Sequence, residues 1–302
     1  MRLLAFSLAI TFFAFSCQAD LSDEQPRRQV YTSLKDFQTK NKVASQSFTA
    51  NSATTIFLQG AKGSRFSFPS NAFVTMNNQP VSGEVSIEIK EILKPQEMIL
   101  SNMPTVSDGR PLESGGQFFI RVTKNNEELK LAPGKQVQVT VQNVNAQAMQ
   151  GMQVFNGVVT ANGSVNWQLN TNQANVVRSD STGSTLYTMF SDQVNWLNID
   201  KFYNEPQITY TVNVTNTPDI NETVVYVHLT GRNTAFGFPR TPAGFTSDYL
   251  IAAQATLVAM CVKDKKLYYD MKPVTLQHGG STNMQLIETT EENLKARLAT
   301  LQ

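Results

Sequence analysis

Cysteine and histidine are scarce in this chain of 302 residues, which has two of each. His228 and His278 lie fifty residues apart, and neither has a second ligand at the spacing that zinc sites use. Cys261 lies in the apolar run TLVAMCV, where a free thiol packs as a small hydrophobe. Nucleophile-elbow motifs (Gly-x-Ser-x-Gly) and phosphate-loop motifs with the required spacing are also missing. We therefore expect no metal, no cofactor and no catalytic site.

Long apolar runs and an excess of one charge are missing as well. The uncharged, mostly apolar run at residues 3–15 has 13 residues, whereas a membrane-spanning helix needs about 20. The chain has 25 Lys and Arg against 24 Asp and Glu, so its net charge is +1. A charge this small gives no electrostatic reason to expect nucleic acid as a partner.

The amino terminus carries the order of features that a secreted lipoprotein has. Arg2 precedes the apolar run at 3–15, and Cys17 stands where polar sequence begins. This arrangement resembles a bacterial lipobox, in which the cysteine thiol is diacylated and the preceding peptide is removed. We predict a signal peptide at residues 1–16 and lipidation of Cys17, with acyl chains holding the protein on a membrane. The alternative is an ordinary signal peptide cleaved near Ala19, in which Cys17 has no role.

Acidic residues follow Cys17 directly, at Asp20, Asp23 and Glu24. In Bacteroidota, such an acidic patch resembles the signal that sends lipoproteins to the outer face of the outer membrane. The predicted location is therefore the outer membrane, lipid-anchored and facing the cell surface, with a periplasm-facing orientation left open.

Short segments with alternating polarity dominate the chain from Phe48 onward. In GEVSIEIKEI, Val85, Ile87 and Ile89 alternate with polar residues, which is typical of a half-buried strand. The KNN sequence before EELKL predicts a turn, and Asn-Gly pairs at 156–157 and 162–163 predict two-residue hairpin turns. Strands at this spacing, with few helical stretches, indicate a β-sandwich or barrel.

Length and composition suggest two domains, since a single core seldom grows past about 250 residues. The Asn-, Ser- and Thr-rich stretch from 170 onward predicts a joint between them. We predict a mainly β protein with two β-sandwich-like domains and a short C-terminal amphipathic helix. The predicted boundaries are a tether at 17–45, an N-terminal β-sandwich with a hairpin extension at 46–169, a linker at 170–193 and a C-terminal β domain at 194–302.

The C-terminal helix is predicted from TTEENLKARLATLQ. Thr289 and Glu292 form a capping-box pattern, and Leu294, Leu298 and Leu301 share one helical face. We expect this face to pack on a sheet.

Several segments resemble a known family. The segments GSRFSFPSNAFVTMNNQPVSGEVSIEIKEI, LESGG, MQVFNG and WLNIDKF resemble, in that order, a family of Bacteroidota surface lipoproteins. More distantly, the first domain is similar to the β-sandwich shared by zonula occludens proteins, netrin receptors and ankyrins. Some animal relatives of that sandwich cleave themselves at His-Phe-Ser, whereas this chain has Arg65-Phe66-Ser67, which argues against self-cleavage. The resemblance implies a fold and carries over no biochemical function.

Two polar clusters could hold chemistry. Glu113 stands beside two glycines in ESGG, where a glycine bulge or turn entering a strand is favoured over a catalytic carboxylate. In NWLNIDKF, Asn195, Asn198 and Asp200 supply oxygen atoms of the kind that calcium binds. Alternation instead favours a strand with Trp196, Asn198 and Asp200 on one face and Leu197 and Ile199 on the other.

The segment AFGFPRTPAGF at 235–245 is the best candidate for a binding site. Phe236, Phe238 and Phe245 combine with Arg240 on a segment stiffened by proline, and such loops bind with little loss of order. The alternative is that the rings close the end of a sandwich as plugs, since large apolar side chains are usually buried.

These features favour a non-catalytic binding or adhesion role, with a glycan or protein as ligand. A structural spacer or assembly subunit of an envelope complex is the first alternative. A glycan-processing enzyme is the second, and would need two convergent carboxylates in a cleft. Asp180-Ser181-Thr182 also resembles the Bacteroidota O-glycosylation pattern.

Overall fold

The computed structural model describes residues 30–142, 150–161, 163–179, 185–242 and 244–301. The predicted mainly β class is confirmed. The helices are α1 (Leu34–Asn41), α2 (Pro95–Leu100) and α3 (Glu291–Leu298). The strands of the described part are, in chain order, β1 (Gln46–Asn51), β2 (Ile56–Gln59), β3 (Arg65–Phe68), β4 (Phe73–Thr75), β5 (Glu84–Ile92), β6 (Val106–Ser107), β7 (Arg110–Lys124), β8 (Glu127–Leu131), β9 (Val137–Gln142), β10 (Gln153–Val159), β11 (Val165–Leu169), β12 (Val176–Ser179), β13 (Leu186–Ser191), β14 (Asn195–Phe202), β15 (Gln207–Val214), β16 (Thr223–Leu229), β17 (Phe236–Gly237), β18 (Arg240–Thr241), β19 (Gly244–Ile251), β20 (Ala253–Lys263), β21 (Lys266–Leu276), β22 (Gly280–Met284) and β23 (Ile287–Thr289).

The first sandwich packs a large sheet, sheet A, against a smaller one, sheet B. Sheet A has the order β1-β5-β7-β14-β10-β11, with β4, β6 and β8 attached beside this path. Sheet B has the order β12-β13-β9-β3-β2. Val85, Ile87 and Ile89 of β5 are buried, as their alternation predicts, and they share a core with Val139 and Met189 of sheet B.

The predicted linker at 170–193 is wrong. These residues contain β12 and β13, which pair with each other, and β13 pairs with β9 of sheet B. The following strand, β14, lies between β7 and β10 in the middle of sheet A. The Asn-, Ser- and Thr-rich composition misleads because burial alternates along β13, and Tyr187 and Met189 place their side chains in the core. The first sandwich therefore continues to Phe202.

The predicted tether at 17–45 is wrong for its second half. Ser33 caps α1, since its hydroxyl accepts a hydrogen bond from the Asp36 backbone N–H. Tyr31, Leu34 and Phe37 are buried among apolar side chains from both sandwiches. The apolar residues of this segment therefore belong to the folded body.

The second sandwich also consists of two sheets. Sheet C has the order β18-β19-β15-β22, in which β15 and β22 are parallel, and sheet D has the order β17-β16-β20-β21-β23. Their inner faces share an apolar core that includes Val212, Val227, Leu257 and Cys261. The predicted second β domain is thus present, although it begins near Gln207 instead of at residue 194.

A third apolar cluster joins the two sandwiches. It contains the buried faces of all three helices together with Phe155 and Trp167 of sheet A and Val258 and Met260 of sheet D. Leu294, Leu298 and Leu301 are buried there, as the helical spacing predicts. The cap of α3 is Thr290, one residue later than predicted, because its hydroxyl accepts the Asn293 backbone N–H.

Turn predictions had mixed outcomes. Asn125 and Asn126 connect β7 to β8 with positive φ angles of 51° and 66°, as the KNN sequence predicts. The predicted turn at 156–157 is wrong, because both residues lie inside β10 and pair with β11. Gly157 stands opposite Trp167, and a Cβ there would come within 2.5 Å of the Trp196 Cβ. Glycine is required at that position for close packing.

Candidate ligand-binding surfaces

The phenylalanine segment at 235–245 lies inside the second sandwich. Phe236, Phe238 and Phe245 are 4%, 7% and 2% exposed and pack in the core between sheets C and D. The prediction of a binding edge built on these rings is therefore wrong, and the plug alternative is correct. The physical reason is that β17 pairs with β16 while β18 pairs with β19, which turns the rings inward.

Arg240, the fourth residue of that prediction, is exposed, but its guanidinium already hydrogen-bonds to neighbouring residues. Its Nη1 donates to the Asn221 Oδ1 at 2.6 Å and lies 3.4 Å from the Ile220 carbonyl oxygen. The guanidinium thus braces the turn before β16, and the segment presents no group of ligand-binding side chains.

Cys17 and Ser181, the predicted lipidation and glycosylation positions, lie outside the described residues. None of the helices in the described part is long and apolar enough to span a membrane.

The ESGG motif forms a β-bulge, as favoured by the sequence. Ser114 pairs with Asp200 and Gly116 pairs with Ile199, so Gly115 is the extra residue of β7. A Cβ on Gly115 would lie 2.9 Å from the Ile199 Cγ2. Burial raises the pKa of the Glu113 carboxyl, although Lys201, 3.5 Å away, opposes the shift.

The NWLNIDKF strand has the predicted alternation. Leu197 and Ile199 face the core of the first sandwich, whereas Asn198 and Asp200 face the other side of sheet A. The Ser114 hydroxyl donates to the Asn198 Oδ1 at 2.9 Å, and the Asn198 amide donates to the Asp200 carboxyl. Burial raises the pKa of Asp200 well above its usual range. Among the described residues, no group of three or more His, Cys, Asp or Glu side chains could hold a metal ion.

The remaining scarce residues are the two histidines and Cys261. His228 is buried, and its Nδ1 lies 2.9 Å from the Thr234 carbonyl oxygen. His278 lies in the turn before β22, where its Nδ1 is 3.4 Å from the Thr209 backbone nitrogen. Cys261 is fully buried in β20.

The GAKGS sequence is the hairpin turn between β2 and β3, and it surrounds the Glu91 side chain. The Lys62 and Ser64 backbone N–H groups each donate to the Glu91 carboxylate at 3.0 Å. The Gln46 side-chain amide also donates to it, at 3.1 Å. The fully buried Glu91 thus has several hydrogen-bond partners, and the loop is filled by the protein itself.

The outer face of sheet B is the most site-like surface of the described part. Registers between its five strands align two rows of outward side chains. The first row is Val176, Phe190, Gln138, Ser67 and Phe57, and the second is Arg178, Thr188, Thr140, Arg65 and Gln59. Amides, hydroxyls and two guanidinium groups therefore lie beside two aromatic rings, and these ten residues include no carboxylate.

The two rings stand at separate strands of the first row. Phe57 is 77% exposed on the edge strand β2, although its neighbour Ile56 is buried in the core. Phe190 lies on β13 and carries the Arg178 guanidinium 5.1 Å from its ring centroid. Two strands separate β2 from β13, so the Cα atoms are about 14 Å apart at a spacing of about 4.8 Å per strand.

A groove of about 570 Å³ runs along the β2 side of this face. Its lining includes Phe57, Gln59, Arg65, Gln138 and Thr140. The Thr140 and Thr188 hydroxyls lie 3.3 Å apart, which fixes neighbouring side chains across two strands. No carboxylate within 4 Å neutralises Arg65 in the part of the chain that the structure describes.

A weak signal for this face is present in the sequence. TTIFL places three apolar residues in succession, and alternation requires the middle one, Phe57, to point away from its neighbours Ile56 and Leu58. Which side faces the core depends on where sheet A packs, and this information is not local.

No model of a known protein family matches the chain, and none of the curated proteins is significantly similar to it in sequence. The resemblance to a Bacteroidota surface lipoprotein family therefore stays a prediction.

Proposed function

We propose that this chain is a non-catalytic binding protein of the cell envelope and that the outer face of sheet B holds a glycan. The observation that supports this proposal is the cross-strand row with Phe57 and Phe190 separated by Ser67 and Gln138. A ring as exposed as Phe57 makes no contribution to the core that would explain it.

The chemistry of the face suits a carbohydrate better than an apolar ligand. Aromatic rings offer flat apolar area for the C–H faces of sugar rings, and their positions are rigid because few torsions move them. Gln59, Gln138 and Thr140 add hydrogen-bond donors and acceptors that match sugar hydroxyls. Arg65 adds a planar donor group. A few polar groups placed beside apolar area are typical of small-molecule sites.

The proposed location is the outer membrane, with lipid on Cys17 and the binding face turned to the cell surface. Twelve residues lie between Cys17 and Val30, the first described residue (30 − 17 − 1). A segment of this length spans at most about 45 Å when fully extended. The folded body would therefore stay close to the membrane. Replacing Cys17 by Ala should release the protein from the membrane fraction, and a variant that still sediments with membranes would contradict this location.

The binding proposal is tested by electrophoresis of the full chain, purified in detergent, through gels that contain a panel of neutral and acidic polysaccharides. A bound polysaccharide retards the protein. Phe57→Ala should weaken the binding at least about tenfold, which corresponds to about 1.4 kcal/mol. The matched control is Val159→Ala, which removes an exposed apolar side chain (61%) from sheet A.

Two outcomes would contradict the proposal. One is that no polysaccharide in the panel retards the wild-type chain. The other is that Phe57→Ala is retarded as strongly as the wild type and Val159→Ala, which would place the ligand on another surface.

A further inference from the structure

A polar pocket of about 410 Å³ lies where the two sandwiches meet. Its walls come from the beginning of β7, the segment before β10, the end of β14, the connection at 203–205 and the loop after β16. Its charged and amide side chains are Arg110, Gln150, Gln153, Lys201, Asn204, Glu205 and Arg232. Three of these seven are cationic and one is anionic.

Arg110 is held in place without being neutralised. Its guanidinium carbon lies 4.0 Å from the centroid of the Phe202 ring, so the planar group stacks on that ring. Among the described residues, no carboxylate lies within 4 Å of it. Stacking fixes the plane of a guanidinium and leaves N–H groups at its edge available for a ligand.

Arg232 approaches the same pocket from the second sandwich. Its Nη2 donates to the Glu205 Oε1 at 2.9 Å, and its guanidinium carbon lies 4.8 Å from the Tyr203 ring centroid. Lys201 adds a third cation, 3.5 Å from the Glu113 carboxylate, which is 5% exposed and does not line the pocket. The pocket thus has more positive than negative charge, and its cations come from both sandwiches.

We infer that this junction pocket binds the oxyanion of a small ligand, a carboxylate or a phosphate, between Arg110 of the first sandwich and Arg232 of the second. A guanidinium fork matches either anion through paired hydrogen bonds. The amides of Gln153 and Asn204 supply further donors for the rest of the ligand. Because the anion would contact both sandwiches, its binding stabilises their junction by mass action. This site lies apart from the outer face of sheet B and does not depend on it.

The inference is tested by isothermal titration of the full chain, purified in detergent in chloride buffer, with inorganic phosphate, glucuronate and glucose. Phosphate or glucuronate should bind, and glucose, which lacks the anion, should not. Binding of phosphate but not of glucuronate would assign the site to phosphate groups. Binding of glucuronate but not of phosphate would assign it to sugar acids. Arg110→Ala and Arg110→Gln, which better conserves the size of the side chain, should each weaken the affinity for the anion at least about tenfold.

Arg121→Ala is the matched control, because it removes an exposed guanidinium that lines neither the pocket nor the groove on sheet B. It should leave anion binding unchanged, and Arg110→Ala should leave polysaccharide binding unchanged. The two proposed sites are therefore tested independently. The inference is overturned if neither anion binds at about 10 mM, a concentration that detects affinities weaker than 1 mM. It is also overturned if Arg110→Ala binds the anion as the wild type does, or if Arg121→Ala weakens the binding equally.

Discussion

Sheet A and sheet B are the two layers of one sandwich, yet only sheet B has a largely uncovered outer face. Beyond the core, much of the outer side of sheet A is covered by the helices and the second sandwich, with Trp167 and Phe155 fully buried. The outer side of sheet B leaves Phe57 77% exposed. Both sheets alternate in polarity, so alternation alone does not distinguish a covered face from an open one. An aromatic residue on the covered face is explained by packing, whereas one on the open face is not.

Buried polar groups also lie at the covered face of sheet A, and several of them hydrogen-bond across the junction. The Asn233 side-chain amide donates to the carbonyl oxygens of Leu93 at 3.0 Å and Ser114 at 2.8 Å. Thr105 and Ala235 exchange hydrogen bonds between the sandwiches. Since a buried polar group without a partner is costly, these contacts fix how the sandwiches sit together.

The largest effect is expected for Trp167→Ala on the covered face. It removes a fully buried ring and the hydrogen bond from its Nε1 to the Pro104 carbonyl oxygen at 2.9 Å. We expect a loss of about 3–5 kcal/mol in the free energy of unfolding, measured by urea denaturation. Phe57→Ala on the open face should lose about 0.5 kcal/mol or less. Equal losses for both variants would remove the distinction between the two faces.

The phenylalanine segment extends the comparison to the second sandwich. Phe236→Ala and Phe245→Ala should each cost about 3–5 kcal/mol, because both rings lie in the core. Thermal unfolding measures this against Arg240→Ala, which changes an exposed side chain of the same segment. If both phenylalanine variants melt like the wild type, the rings do not close this sandwich.

Gly115→Ala tests the bulge that shapes sheet A. The new methyl group would lie 2.9 Å from the Ile199 Cγ2 and 3.1 Å from the Tyr187 ring, and we expect a cost of about 1–3 kcal/mol from overpacking. Gly237→Ala is the control, since its methyl group would meet nothing closer than 3.8 Å. A stable Gly115→Ala protein would show that this part of β7 has room for a side chain.

Asp200→Asn should have an effect on stability that depends on pH. Because burial raises the pKa of Asp200, the folded state favours the neutral carboxyl. The stability from this group is fully present below the unfolded pKa, near 3.9, and is lost as pH rises through the folded pKa. Asn is neutral throughout, so the variant should melt above the wild type at pH 8 and with no such gain at pH 4. A variant that melts below the wild type at pH 8 would contradict a raised pKa.

Local patterns predicted much of the secondary structure correctly. The alternation around Ile87, the Asn125-Asn126 turn and the leucine face of α3 each depend on residues close in sequence. Errors arose where the structure depends on pairing between strands that are distant in the sequence. The position of β14 between β7 and β10 joins segments far apart in the chain, and a polar composition could not reveal it.

The candidate sites show the same limit. The sequence identified Phe236, Phe238 and Phe245 as aromatic residues near Gly and Pro, but pairing of β17 with β16 turns them inward. The rows on sheet B require the registers of five strands, and the junction pocket requires Arg110 and Arg232 from different sandwiches. Neither arrangement is present in any short segment.

The most direct test of the open face is to block it with a covalent label. Ser67 lies in the first row between Phe57 and Gln138, so Ser67→Cys places a thiol beside the exposed ring, while the native Cys261 is fully buried. The control is Ala252→Cys, an exposed position in the second sandwich. After reaction with a bulky maleimide, the Ser67→Cys protein should lose its retardation by polysaccharide, whereas the unlabelled protein and the labelled control should keep it. Unchanged retardation of the labelled Ser67→Cys protein would contradict the account that the outer face of sheet B binds the ligand.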